Sequence, residues 1–379
     1  MSLRVELASD LLSIDPLAWD ALTGANDPFV EHAFLRALET SGSVGAEAGW
    51  QPVHVTAWRD DALIGALPLY AKDNSWGEFI FDFQWARAAQ RGGIPYYPKL
   101  VSMAPFTPAT GKRILIAEGE DEDQVTAALL AGARRAADRL ECSPLHLLFV
   151  TPGERDRACE AGLAARLTLQ FHWENQGYSS FDELLARFRA DKRKQVKRER
   201  RRVAESGLAL EVKDGPELDD REWAALATFY REGVSRHGSY PYLRPAFFDA
   251  IRETHAHRVV AAFAYRAGRP IAASLSFEKG AHLYGRYWGS SEEHEHLHFE
   301  LCYYRLIERA IAKKLTRFEA GAQGHHKLAR GMLPSAVHSA HWIRDPRLNA
   351  AIAEHLPLEA ADVAAEIALL SEHAPFHRG

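Results

Sequence analysis

The densest chemistry in the sequence is cationic. Arg187, Arg189, Lys192, Arg193, Lys194, Lys197, Arg198, Arg200, Arg201 and Arg202 crowd one stretch, with Asp191 and Glu199 as the acids among them. Ser180 and Glu183 form a capping box, Gly207 is a natural stop, and Phe181, Leu184, Leu185, Phe188, Val196 and Val203 trace one apolar stripe. The spacing predicts a single basic helix over 181–206, on which Arg193, Lys197, Arg200 and Arg201 share a side at i, i+4, i+7 and i+8. A solvated face usually mixes acids with bases. Here either a phosphate-bearing partner meets the face or the face is only solvated.

A second cluster is EAGAQGHHKLARGMLP, residues 319–334. Gly321, Gln323 and Gly324 follow an apolar strand, so backbone N–H groups can approach a ligand, and Lys327 and Arg330 add positive charge beside it. The spacing matches neither GxGxxG nor the P-loop, and a tight turn with surface histidines would read the same way. The third candidate is HEHLH, 294–298, which matches HExxH and on a helix would offer two imidazoles to zinc. Three positions after His298 stands Leu301 instead of the Gly of the extended pattern, and Glu308 or Glu319 would be a third ligand without a motif behind it. With 18 histidines in the chain a chance match is unsurprising, and no metal is expected. Cys302 lies on the apolar face of its helix and reads as core.

Two hairpins and two helices must position these groups. VHVTAWRDDALIGALPLYAK (53–72) and VAAFAYRAGRPIAASLSFEK (260–279) align without a gap, Trp58 on Tyr265, Ile64 on Ile271 and Tyr70 on Phe277. Each reads as a β-hairpin, and the shared spacing points to a duplicated domain. Helical patterns at 121–140 and 299–314 are each followed by a short strand, at 145–150 and 316–321, which predicts an α/β fold with mixed sheets. The domain junction is expected at 151–177. The division expected is 1–165, then 166–345 with the basic helix, then a short helical tail over 346–379 that frays at HAPFHRG.

The 379 residues are 47% hydrophobic, enough for about two or three domains at roughly 100–200 residues each. Lys plus Arg number 46 against 51 Asp plus Glu, a net charge of −5, so a polyanion must be met by a local patch and not by bulk charge. Cys142, Cys159 and Cys302 lie too far apart for a disulfide framework or a thiolate zinc site. With no secretory signal and no apolar span, a cytoplasmic protein is expected.

FDFQWARAAQRGGIPYYPKLVSMAPFTPATGKRIL (81–115), GRYWG (285–289), LHFELCYY (297–304) and AGAQGHHKLARGMLP (320–334) resemble the FemAB-like family of peptidoglycan biosynthesis or recognition proteins, in the GNAT superfamily. The similarity runs from about residue 15 to 370. It implies two GNAT-like acyltransferase domains in tandem and N-acyl transfer to a primary amine of a peptide or cell-wall precursor. Such chemistry needs a base for the ammonium proton, N–H donors for the oxyanion and an acid for the leaving group. On the resemblance, Glu300 and Glu319 are candidate bases, Tyr303 and Tyr304 candidate acids, and His326 serves either way. Arg193, Lys197, Arg200, Arg201, Gln323, Gly324, Lys327 and Arg330 are the candidate donor contacts. No tightly bound cofactor is implied: the donor is aminoacyl-tRNA or acyl-CoA. The turn GSSEEHEHLHFE carries Glu292, Glu293 and Glu295 where a CoA pyrophosphate would sit, Gln90 to Gly93 is a partial substitute, and the basic helix favours tRNA. A binder of tRNA or muropeptide without turnover, and a zinc hydrolase, are the other classes.

Overall fold

In a computed structural model, which describes residues 3–236, 240–321 and 324–377, both hairpin segments fold with one register. Strands His54–Arg59 and Ala62–Leu67 turn at Asp60 and Asp61, with Asp60 at φ +54°. Strands Val259–Arg266 and Arg269–Lys279 turn at Ala267 and Gly268, with Ala267 at φ +48°. Ala57 faces Gly65 and Trp58 faces Leu63, which leaves Ile64 as the extra residue. Likewise Ala264 faces Ala272 and Tyr265 faces Pro270, which leaves Ile271. A bulge bends its strand at a set point, so the shared position gives both hairpins the same curvature.

The chain forms two compact units, residues 1–169 with 336–366, and residues 170–335 with 367–379. In the first, Leu3–Ala8, the hairpin and Leu115–Ile116 make an antiparallel four-stranded sheet. Lys99–Ser102 and Pro144–Val150 pair in parallel, bridged by helix Glu122–Arg139. That helix buries Val125, Leu129, Ala133 and Ala137 against Val55, Leu67, Leu100 and Leu145, as its spacing requires.

In the second unit Ala209–Asp214, the hairpin and His282–Ser290 run antiparallel in chain order. Arg317–Glu319 then pairs in parallel with residues 282–284, bridged by a helix from Leu297 to Ala312. Both units thus hold an opening strand, a hairpin and a crossover helix between two parallel strands, but in the first the parallel pair lies in a different sheet from the hairpin, whereas in the second one sheet holds both. The fold is a mixed α/β one with a hairpin and a crossover helix in each unit. Gly289 has a packing reason, because a Cβ there would lie 1.9 Å from the Phe229 carbonyl oxygen of helix Asp220–Arg236. Among the described residues no helix is long and apolar enough to cross a membrane.

Two expectations need correction. The basic segment is two helices, Phe181–Ala186 and Ala190–Ala204, and not one. Its break is held by the end of the chain: the Arg189 N–H donates to the Pro375 carbonyl at 2.7 Å, and the His377 N–H donates to the Arg187 carbonyl at 2.9 Å. The Phe188 and Phe376 rings meet edge to face at 5.1 Å. The tail is accordingly a long helix, Pro346–Glu372, followed by a paired segment instead of a frayed one. The caps do form, since Ser180 Oγ accepts the Glu183 N–H and Gly207 stands at φ +72°. The Glu183 carboxylate reaches back one residue further, to the N–H and Oγ of Ser179.

Candidate active site

Strands His282–Ser290 and Arg317–Glu319 stay paired only as far as Tyr284 and Glu319. Past that point a cavity of about 90 Å³ opens, lined by Ser274, Arg286, Trp288, His298, Cys302 and Tyr303 among others. Its helical wall carries an irregularity that the apolar period does not announce, a π-turn over Glu300–Tyr304. Single π-turns inside α-helices recur at functional sites. Consecutive tyrosines within this one, both buried, serve different partners. Tyr303 Oη lies 2.9 Å from His326 Nε2, while the Tyr304 hydroxyl donates to Glu199.

His326 arrives on the loop after Glu319. Gly324 starts its turn at φ +117°, where a Cβ would fall 2.5 Å from the His326 ring, so no side chain fits. Burial first, then the charges of Arg330 and Lys327, hold His326 below the usual imidazole range. It is therefore neutral at neutral pH and able to take a proton. Burial pushes the Tyr303 hydroxyl well above the usual phenol range, so it stays protonated. Lys327 is buried, donates to the Gly321 carbonyl at 2.8 Å, and is pulled down to about 8 by burial. Arg330, also buried, donates to the His326 carbonyl at 2.7 Å and lies 3.3 Å from the centre of the Phe299 ring.

Glu300 is buried, with Arg200 Nη2 and Arg305 Nε each 3.0 Å from its Oε1. Both guanidiniums occupy the carboxylate. Glu319 ends its strand, 3.8 Å from His172 Nε2 and beside Ala320 of the cavity wall. Gln323 lies outside the described residues. Of the four cations expected on one side of the basic helix, three gather: Arg193, Lys197 and Arg201 line an open groove of about 400 Å³ with Lys194 and Arg198. Arg200 is not in that groove: it lines a second cavity with Lys197 and Arg201 and reaches Glu300 and Glu308, with its guanidinium over the Phe181 ring at 4.7 Å. Seven positions from Arg193 is nearly two full turns, but so is the distance from Val196 to Val203, and Arg200 falls closer to that buried stripe.

HEHLH straddles a helix start. The helix begins at Leu297 after His296 at φ +65°, so His294 and His298 do not share one helical face. His294 Nε2 lies 3.0 Å from an Arg266 nitrogen, and His298 packs on Trp288 and Tyr303. Gln90 and Arg91 end helix Phe83–Arg91, and the Gly92 N–H is already given to the Ala88 carbonyl. A helix C-terminus is the negative end of its dipole, so this stretch does not suit a pyrophosphate. Sequence reasoning missed Glu199 as a site residue and weighed His298 only as a zinc ligand. The signal for Glu199 was present: it falls between Val196 and Val203 at i+3, inside the buried stripe.

A FemAB-like family model, described as peptidoglycan biosynthesis/recognition, matches residues 10–378. No curated protein matches in sequence. Among solved structures, FemX is similar at 13% identity and a TM-score of 0.55, over 93% of this chain and 100% of its own. The C-terminal domain of a protein assigned as a lysylphosphatidylglycerol synthetase from Agrobacterium fabrum is similar at 11% identity and a TM-score of 0.53, over 90% of this chain and 94% of its own. L-PGS from Bacillus licheniformis is similar at 10% identity and a TM-score of 0.50, over 84% of this chain and 95% of its own. At these identities the likeness is one of fold.

Proposed function

From the premise that the chain belongs to the FemAB-like family, we propose that it is an N-acyltransferase moving an aminoacyl group from aminoacyl-tRNA to a primary amine of a peptide or cell-wall precursor. The observation that carries this reading is the Tyr303–His326 pair, held at 2.9 Å beside a cavity whose wall includes Arg286. The amine nitrogen attacks the ester carbonyl and forms the C–N bond. Neutral His326 takes the ammonium proton. Lys327 and Arg286 supply positive charge toward the tetrahedral oxyanion, and Tyr303 gives its proton to the departing ribose oxygen as the C–O bond breaks. The proton on His326 then restores Tyr303 across their hydrogen bond. Glu319 is the second candidate base, whereas Glu300, closed by two guanidiniums, anchors the basic helix.

The tRNA donor is supported by the five-cation groove along Ala190–Ala204. Acyl-CoA offers far fewer phosphates, and the turn at Glu292, Glu293 and Glu295 would repel its pyrophosphate. Two measurements test the reading. His326→Gln should lower turnover by about 10²- to 10⁴-fold with folding intact. Lys197→Gln with Arg201→Gln, both exposed, should weaken tRNA binding and flatten its log–log salt slope by about 1–2. Tight acyl-CoA binding with no response to tRNA or to these substitutions would replace the donor. Full turnover in His326→Gln would end the assignment of the base.

A further inference from the structure

Helix Ala190–Ala204 looks both ways. Its outer residues line the basic groove, while Glu199 points inward and is buried. Both Glu199 oxygens accept Arg330 Nη2, at 3.0 and 2.9 Å, and Gln195 Nε2 donates at 2.9 Å. Glu199 also accepts from the Tyr304 hydroxyl. Two of these partners, Tyr304 and Arg330, lead to the candidate acid–base pair. Tyr304 is the chain neighbour of Tyr303 within the π-turn, and Arg330 Nη1 holds the His326 carbonyl. One carboxylate therefore grips both elements that bring Tyr303 and His326 together.

Stability alone does not account for an acid there. Burying an ion pair costs several kcal/mol of desolvation per ion, and a well-packed apolar group is commonly as stable. The stripe through Val196 and Val203 would accommodate one. We propose that Glu199 is a positioning residue, which fixes the Tyr303–His326 pair and, because it rides on the groove-bearing helix, couples anion binding in that groove to the pair. The coupling rests on the reading of the pair as the acid–base centre, but its first test does not.

That test is the titration of His326, followed by NMR of its ring in the full chain. The groups facing the ring are the Arg330, Lys327 and His325 charges, the Tyr303 hydroxyl, and the His298 and Phe299 rings. Glu199→Gln leaves the Arg330 cation uncompensated, so His326 should titrate lower by about 0.5–1 unit. Arg330→Gln removes the cation, so His326 should titrate higher. A residue that merely supported the fold would not give opposite signs. Glu199→Asp keeps the charge and guards against a variant that fails to fold: its His326 should titrate near wild type. The second measurement adds inorganic tripolyphosphate or a short RNA duplex. In wild type the His326 ring signal should move on binding, and in Glu199→Gln the same binding should leave it still. An unchanged titration in both Gln variants, or a ring shift that survives Glu199→Gln, would overturn the proposal. Full turnover in His326→Gln with these shifts intact would instead remove the catalytic reading and leave the coupling.

Discussion

In the first unit the ammonium of Lys99 donates to Ser75 Oγ at 2.7 Å, Glu78 Oε2 at 2.8 Å and Asp82 Oδ2 at 2.7 Å. In the second unit the ammonium of Lys327, also buried, meets a neutral carbonyl, that of Gly321. Burial acts on both, and the outcomes are opposite. For Lys99 burial would lower the pKa, yet Glu78 and Asp82 hold it above the usual lysine value, while Lys327 is drawn down to about 8. Around Lys99 the account is balanced: Lys72 sits over the Trp50 ring at 3.6 Å, Tyr96 donates to Asp82, and two lysines answer two carboxylates. Around Lys327 the cations Arg286 and Arg330 gather, with Glu199 answering Arg330 and the charge of buried Glu319 acting on Arg286. Both regions stand where a helix bridges a parallel strand pair. A lysine answered by two carboxylates holds its loop in place, whereas a lysine that meets only a neutral carbonyl keeps its charge at a cost.

The sharpest way to break that contrast is to remove each lysine. Lys99→Met leaves buried carboxylates without their partner and should cost about 3–5 kcal/mol in urea unfolding. Lys327→Met removes a charge the fold holds at a loss, so stability should stay within about 1 kcal/mol of wild type while transfer falls. Equal destabilisation by the two would erase the distinction. Linkage carries a matching sign. With a folded value of about 8 against about 10.5 unfolded, Lys327 costs stability fully below pH 8, and the cost is relieved as pH rises through that window.

A smaller effect belongs to the rate. Since His326 acts neutral and Lys327 charged, turnover against pH should be bell-shaped, with an acid limb below the usual imidazole value and an alkaline limb near 8. Each limb falls about tenfold per pH unit, and Lys327→Met should abolish the alkaline one. A flat profile from pH 6 to 9 would detach Lys327 from the reaction, and the lack of any acid limb below the usual imidazole range would detach His326. The smallest effect compares the hairpin turns. Ala267→Gly relieves an L-residue at positive φ and should raise stability by about 0.5–1 kcal/mol in thermal unfolding, while Asp60→Gly should gain less, because Asp tolerates that region. Equal gains would mean that the two turns carry equal strain.

What the sequence made legible was local. Turn, bulge and strand period lie within twenty residues, so the alignment of Trp58 on Tyr265 carried through to one register. The break in the basic segment was not legible, because its partners at 375–377 are distant in the chain. The YYPKL stretch stood out only as a family signature. Its physical content, Tyr96, Tyr97 and Lys99 closing on Ser75 and Asp82, depends on pairings across a loop that no periodicity reports. Tyr303 and His326 were separately visible, but their meeting waits on the crossover that returns the chain beside strand His282–Ser290. That Arg200 is held by Glu300 and Glu308 was hidden for a simpler reason: helical spacing names a side but not which side is covered.

The π-turn at Glu300–Tyr304 also has a meaning in terms of descent. A helix gains such a turn when one residue is inserted without the flanking turns giving up their hydrogen bonds. Deleting a single codon here, that of Leu301 or Cys302, would return the helix to its ordinary period and swing Arg305 onward by about 100° relative to Leu297. Arg305 and Glu308 would leave their partners, and the two tyrosines would no longer part toward His326 and Glu199. The length of this segment is therefore as telling as its letters. A homologue that keeps both tyrosines but is one residue shorter between the His282–Ser290 strand and Ala312 should have lost the site.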